Sequence, residues 1–328
     1  MKRLLPILIL LLIVQTLSAQ VLERRYIEHQ NRNRTYLIYI PSTYDANSNE
    51  KVPLIFAFHG INASDENLVG VRLNDFAEIH NFIVIYPQAV PSEFGMIAWN
   101  CGTVLAQNID DMGYFNSMLD LTKQQYNIDD KRIYTCGFSM GGMMSNRIGC
   151  EMSDQIAAVA SVSGPMTNTI YGDCEPVRSV PYMHFHGLAD QTVAYFGNGF
   201  YGVKGALATA QWWAVRNGCD INYNVEAVPD TADEYYHVDR FIFPNCNESY
   251  EVIHHRIENW PHSWPGPSRN VYATAEIVKF FMRHELRESD IVLTPVIENE
   301  LEGYMPRPNP FSSTLDLSRL AEVDQSSG

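Results

Sequence analysis

Beyond its first residues the chain has no apolar run long enough to cross a bilayer, so no later segment is read as membrane-spanning. It is also poor in positive charge: 23 Lys and Arg stand against 38 Asp and Glu, a formal net charge of -15. A surface of that sign repels phosphate backbones and anionic lipid heads, which excludes nucleic acid as a partner and leaves neutral polymers or small esters. Repeats of solenoid length, low-complexity blocks and ion-binding motifs are absent as well, so a repeat architecture is excluded and neither metal nor cofactor is expected.

What is present is the composition of a folded domain, with 46% hydrophobic and 12% aromatic residues over 328 positions. The opening "MKRLLPILILLLIVQTLSAQ" joins a basic start to an apolar run from Leu4 to Val14 and a small-residue end at Ser18 and Ala19. That is the layout of a secretory signal over residues 1–19, so the chain is expected to be secreted, to the cell exterior, the cell surface or a periplasm, and not to insert in a membrane once the signal is gone. In that setting six cysteines read as a disulfide set whose connectivity the spacing leaves open.

Seven runs rich in β-branched or aromatic residues and bounded by turn formers predict strands: "RTYLIYIP", "VPLIFAFHG", "NFIVIYPQ", "KRIYTCGFS", "IAAVASVSG", "VPYMHFHG" and "YEVIHHRIE". "VLERRYIEHQNRN" adds an antiparallel edge strand before the first. Helices are expected over about 66–81, 111–126, 140–152, 202–217 and 271–288. Strands alternating with helices imply an α/β fold, a mostly parallel central sheet with helices on both faces, occupying 20–288 as one domain. Residues 289–328 read as an appended tail. Its "PNPFSSTLDL" resembles the opening of a type IX secretion sorting segment but is shorter than those segments, which suggests a truncated copy and secretion machinery as a partner.

In "YTCGFSMGGMMSNRIGC" one serine, Ser139, stands between Gly137 and Gly141 where a strand gives way to a helix. Two readings compete. A helix N-cap serine needs nothing more. A nucleophile elbow needs small neighbours for the tight turn, an acid and a histidine downstream, and an oxyanion hole. The chain supplies them in order: Asp190 on the loop after "VPYMHFHG" and His262 on the loop after "YEVIHHRIE". The amides of Met140 and of Ile61, in "FAFHGINAS", are the expected oxyanion donors. His184, His254 and His255 fall inside strands and read as core residues, while His59 and His186 precede glycines at strand ends and read as shaping their turns. Asp110 and Asp111 open a helix and read as caps. Trp99, Tyr195 and Trp264 fall on site-side loops and are expected to offer flat faces to substrate.

Together "FHG", Trp99, "NIDDMGYF", "GFSMGGMMSNRIGC", "HGLADQTVAY" and "HSWPG" resemble secreted esterases of the carbohydrate esterase family 1 type, grouped with polyhydroxybutyrate depolymerases, feruloyl esterases and acetyl xylan esterases. The resemblance spans about 34–285. It implies an α/β-hydrolase fold, Ser139 as nucleophile, Asp190 as acid, His262 as base, a metal-independent mechanism, and the pairings Cys150 with Cys174 and Cys219 with Cys246. Cys101 and Cys136 are left over. The expected activity is a serine carboxylesterase releasing feruloyl or acetyl groups from polysaccharide. Rivals are a polyhydroxyalkanoate depolymerase, a serine peptidase of the prolyl-oligopeptidase type, against which stands the lack of a propeller repeat, and a catalytically dead binding module, against which stands the complete triad.

Overall fold

The computed structural model describes residues 20–287 except 198, 200, 201, 231–234, 248 and 249. The expected signal at 1–19 and tail at 289–328 lie outside the described residues.

A hairpin of β1 (Val21–His29) and β2 (Arg32–Ile40) leads into β3 (Val52–Phe58), then α1 (Asp65–Val69), α2 (Leu73–His80) and β4 (Ile83–Pro87). A two-strand flap, β5 (Val90–Pro91) with β6 (Ile97–Ala98), precedes α3 (Asp111–Gln125) and β7 (Ile128–Phe138). Then come α4 (Met140–Glu151), β8 (Ala158–Val162), α5 (Asn168–Asp173), β9 (Tyr182–Gly187) and α6 (Ala206–Arg216). The described chain ends in β10 (Asn224–Ala227), β11 (Val238–Ile242), β12 (Val252–Ile257) and α7 (Ala273–Phe281).

One ten-stranded sheet among the described residues runs in the order β1-β2-β4-β3-β7-β8-β9-β12-β11-β10. Its centre, β4-β3-β7-β8-β9-β12, is parallel throughout, and both margins are antiparallel. The central strands read as unbroken apolar runs because both faces are covered. In β3, Leu54, Phe56 and Phe58 pack with α3, α4 and α6 on one face, while Ile55 and Ala57 pack with α1, α2 and α7 on the other. The carboxyl ends of β3, β7, β9 and β12 therefore point the same way, and the loops that follow them share one edge of the sheet.

The expected architecture is met, with local differences. The helix expected over 66–81 is two helices, because Arg72 takes a left-handed φ of 69° between them. The last helix stops at Phe281, and α6 begins at Ala206. Strands β10 and β11 and the short α5 were not expected from the sequence. In β10 every residue is exposed, so its sequence carries no apolar periodicity to read.

Candidate active site

Strand β7 ends at Phe138 and α4 starts at Met140, so Ser139 alone makes the turn, at φ 55° and ψ -123°. A serine occupies such a backbone conformation only when its surroundings impose it. Its N–H donates to the Val162 carbonyl (2.8 Å) and its carbonyl accepts from the Met143 amide (3.1 Å). The flanking glycines explain the rest: a Cβ on Gly137 would lie 2.3 Å from the Gly141 carbonyl oxygen, and one on Gly141 would lie 2.0 Å from the Phe58 carbonyl oxygen. The helix passes that close to the end of β3. A capping serine has extended backbone and accepts an amide hydrogen with its side chain. Ser139 has neither, because its side chain makes no capping hydrogen bond. It is 5% exposed, and its hydroxyl makes no hydrogen bond to another described residue.

The acid and the base are brought together by the ends of β9 and β12. Leu188 N–H donates to the Ile257 carbonyl (2.9 Å) and Ala189 N–H to the Trp260 carbonyl (3.2 Å), while Gly187 lies where a Cβ would be 2.0 Å from Trp260 O. On the loop so fixed, Asp190 Oδ1 accepts from the amides of Thr192 (2.9 Å) and Val193 (2.8 Å), and His262 Nδ1 donates to Oδ2 (2.7 Å). His186, from β9, donates its Nε2 proton to the Val193 carbonyl (2.7 Å) and lies 3.4 Å from Asp190 Oδ2. Burial alone would raise the Asp190 carboxyl, but hydrogen bonds from His186, His262 and the Val193 amide outweigh it and hold the group well below the usual carboxylate range. Asp190 is therefore an anion that fixes the Nδ1–H tautomer of His262 and leaves Nε2 free to accept a proton. The imidazole ring rests on Phe138, the neighbour of Ser139, with centroids 4.8 Å apart. Among the described residues no hydrogen bond joins Ser139 Oγ to His262 Nε2, and catalytic hydrogen bonds of this kind commonly form only when substrate binds.

Met140, as the first helical residue, has an N–H that no intrahelical acceptor can reach. Ile61 follows Gly60, where a Cβ would lie 3.3 Å from Ser139 Cβ, so the loop after β3 rests directly on the serine. A pocket opens there with Ile61, Thr103, Leu105, Met143, Thr192 and Val193 around Ser139 and Met140. The expected nucleophile, acid, base and both oxyanion donors thus fall on one edge of the sheet.

The expected aromatic platform is corrected at Trp99 and Tyr195, which are buried in the fold. Trp99 is 0% exposed, with its indole N–H donating to the His59 carbonyl (2.8 Å) and its ring against Phe58 and His59. Tyr195 is buried, with its hydroxyl 2.8 Å from His254 Nε2. Trp264 is half-buried against the core that includes α7 and donates to Thr274 Oγ1 (3.0 Å). A buried indole or phenol needs a partner for its polar atom. Each of these rings has found one within the fold.

The other expectations hold more closely. Asp110 caps α3 by accepting from Gly113 N–H (2.8 Å). Asp111, expected as a second cap, does not cap: it is buried as the first helical residue, paired with Arg34 of β2 (2.7 Å) and accepting from the Asn100 amide (2.7 Å). Disulfides join Cys150 to Cys174 and Cys219 to Cys246. Cys101 and Cys136 are free and buried, and burial pushes the Cys101 thiol up to about 12. His184, His254 and His255 are buried on the sheet, as expected of core residues. The supporting contacts of His59 and His186 went unread in the sequence beyond the glycine that follows each.

Residues 44–200 match the family described as phospholipase/carboxylesterase. A bifunctional acetylxylan esterase/xylanase of Neocallimastix patriciarum is 33% identical over 172 residues, which is 52% of this chain and 23% of that protein. Feruloyl esterase B of Piromyces equi is 31% identical over 201 residues, 57% of this chain and 36% of that protein. The chain thus spans well under two thirds of the length of these relatives. Among solved structures, an acetyl xylan esterase from Aspergillus awamori superposes with a TM-score of 0.58 at 16% identity, covering 79% of this chain and 99% of that one. A ferulic acid esterase from Anaeromyces mucronatus, solved with ferulic acid, gives 0.52 at 15% identity over 82% and 92%. The fold is that of the α/β-hydrolases, and the sequence is similar to carbohydrate esterases.

Proposed function

We propose that this chain is a secreted serine carboxylesterase that releases acetyl or feruloyl groups from a neutral polysaccharide. The observation that carries the reading is the strained Ser139, whose chain neighbour Phe138 supports the ring of His262, a histidine whose tautomer a buried carboxylate fixes. In the proposed cycle Ser139 Oγ attacks the ester carbonyl carbon as His262 Nε2 takes its proton. The carbonyl oxygen becomes an oxyanion facing the amides of Met140 and Ile61. Collapse breaks the bond to the alcohol, which leaves with the proton from His262. Water, deprotonated by His262, then attacks the acyl-enzyme, and the acid departs with Ser139 restored. A dead binding module has no use for this constellation.

The substrate class draws support from the acetylxylan and feruloyl esterases that the sequence resembles, and from the net charge of -15, which disfavours anionic chains such as pectin. Export draws support from the two disulfides. A second reading, cleavage of an aliphatic polyester, is favoured by the mainly aliphatic wall around Ser139. Ser139→Ala should fold normally and lose up to about a millionfold in kcat. Retention of most turnover would sink the nucleophile assignment. Comparing kcat/KM on methyl ferulate, acetylated xylan and a hydroxybutyrate oligomer decides the substrate, and preference for the oligomer would favour the polyester reading.

A further inference from the structure

The loop that would complete the oxyanion hole is held by hydrogen bonds that no expectation from the sequence included. His59 is buried at the end of β3, and the Ala89 N–H donates to its Nε2 (3.1 Å). That donor fixes the tautomer: Nδ1 carries the proton and donates to the Gly60 carbonyl (2.7 Å). The Ala63 amide also donates to that carbonyl (3.3 Å). One residue back, the carbonyl of His59 accepts the Trp99 indole N–H (2.8 Å). Asn62 is tied to the flap from both sides, its N–H donating to the Ile97 carbonyl (2.8 Å) and its Oδ1 accepting from the Ile97 amide (3.0 Å).

The consequence follows from the peptide plane. The Gly60–Ile61 bond is trans, so its C=O and N–H point in opposite directions. Anchoring the carbonyl on the His59 ring turns the Ile61 N–H away from it, on the loop that rests against Ser139. The Ile61 N–H meets no acceptor among the described residues. We propose that His59, with Trp99 behind it, is a positioning residue that holds the Ile61 amide pre-aimed at the oxyanion, so that the hole exists before substrate arrives. The proposal rests on the serine esterase reading above. Burial lowers the pKa of His59, which keeps the ring neutral, the form that can accept from Ala89 and donate to Gly60 together.

Two substitutions separate this role from simple packing. In His59→Gln the side chain can reach the Ala89 amide but has no donor at the δ position, whereas His59→Asn keeps an N–H donor there. His59→Gln should lower kcat by about 100- to 1,000-fold, the range for loss of an oxyanion donor, with KM within about threefold of wild type. Inhibition by a trifluoromethyl ketone, whose adduct with serine carries the oxyanion, should weaken by a similar factor. His59→Asn should recover most of both. A folded His59→Gln with wild-type kcat, or equal damage in the two variants, overturns the proposal. Should His59→Gln fail to fold, Trp99→Phe, which removes the indole donor together with part of the buried ring, must show the same loss in kcat and inhibitor binding with KM held and a folded thermal melt; wild-type values there overturn it. Fluorophosphonate labelling of the wild-type chain at Ser139 reports on the esterase reading separately, so an inert wild type and undisturbed His59 variants are different failures.

Discussion

Replacing Asp190 by Asn exchanges one carboxylate oxygen for an NH2 group at almost constant volume, and the surroundings dictate which oxygen is lost. The amides of Thr192 (2.9 Å) and Val193 (2.8 Å) both donate to Oδ1, so the amide oxygen of Asn must stay there. Its NH2 group must then take the place of Oδ2, 2.7 Å from Nδ1 of His262. Two donors cannot face one another, so His262 has to move its proton to Nε2, the nitrogen that should accept from Ser139. The opposite flip would orphan two buried amides at about 1–3 kcal/mol each in order to keep one bond. The wrong tautomer costs about 10⁴ in kcat in serine triads, roughly 5 kcal/mol of transition-state stabilisation. Steady-state kcat on 4-nitrophenyl acetate, read beside a thermal melt, tests this. Asp190→Asn should melt close to wild type because both amides remain bonded, while Asp190→Ala, which frees them, should melt lower. An Asp190→Asn enzyme within tenfold of wild-type kcat would refute the assigned roles.

In Gly141→Ala the new methyl would stand 2.0 Å from the Phe58 carbonyl oxygen, and since backbone there cannot yield cheaply, the loss should be about 3 kcal/mol or more in urea unfolding; an unchanged midpoint would contradict the packing. The two disulfides close loops with sequence separations of 24 and 27 residues, worth about 3 kcal/mol each by chain entropy, and peptide mapping without reductant should recover Cys150 with Cys174 and Cys219 with Cys246. Other pairings would overturn this. Burial drives His255 down to about 3, so the native state binds fewer protons than the unfolded chain between that value and 6.5; stability is complete above pH 6.5 and falls on acidification, by an upper limit on the order of 5 kcal/mol for this residue. His255→Phe, which retains the stack on Phe185, should flatten that fall, and identical pH profiles would argue against it. Leu105→Ala widens the wall beside Ser139 and should raise kcat/KM for methyl ferulate relative to 4-nitrophenyl acetate by about tenfold; a constant ratio would remove Leu105 from acyl selection.

The central strands and the residues proposed as a triad were legible because their signals are local. A fully buried strand such as "IVIYP" is apolar throughout, and Gly137 and Gly141 flank a turn that has no room for side chains. Asp190 and His262 could be found because each follows a strand whose carboxyl end is at the site edge. The antiparallel margin was less legible: β10 is exposed along its length and β11 sets Asp239 and Arg240 between its buried Val238 and Phe241, so neither shows the continuous run that marked the centre. The break between α1 and α2 rests on the backbone of Arg72, a residue type with no special preference for left-handed φ. The tasks of His59 and His186 depend on acceptors and donors that only the folded chain brings near, Ala89 in one case and Val193 in the other.

The aromatic residues show why proximity to a triad in sequence does not translate into contact with substrate. Trp99, Tyr195 and Trp264 all lie on loops that leave the correct edge of the sheet, yet Trp99 and Tyr195 are buried, and all three commit their polar atoms to the protein: His59 O, His254 Nε2 and Thr274 Oγ1. For Trp99 the inward turn is itself useful to the proposed chemistry, since it braces the loop carrying Ile61. What faces Ser139 instead is a wall of aliphatic and threonine side chains drawn from the loops at Ile61, Thr103 to Leu105 and Thr192 to Val193, together with Met143 of α4. The loop at Thr192 and Val193 is set by the two amides on Asp190 Oδ1, and the loop at Ile61 by the buried side chains of His59 and Trp99. A wall side chain that takes no part in these bonds, such as Leu105, can therefore be changed with the serine and the carboxylate left in place, so that in the proposed esterase acyl selectivity would separate from the capacity to cleave an ester.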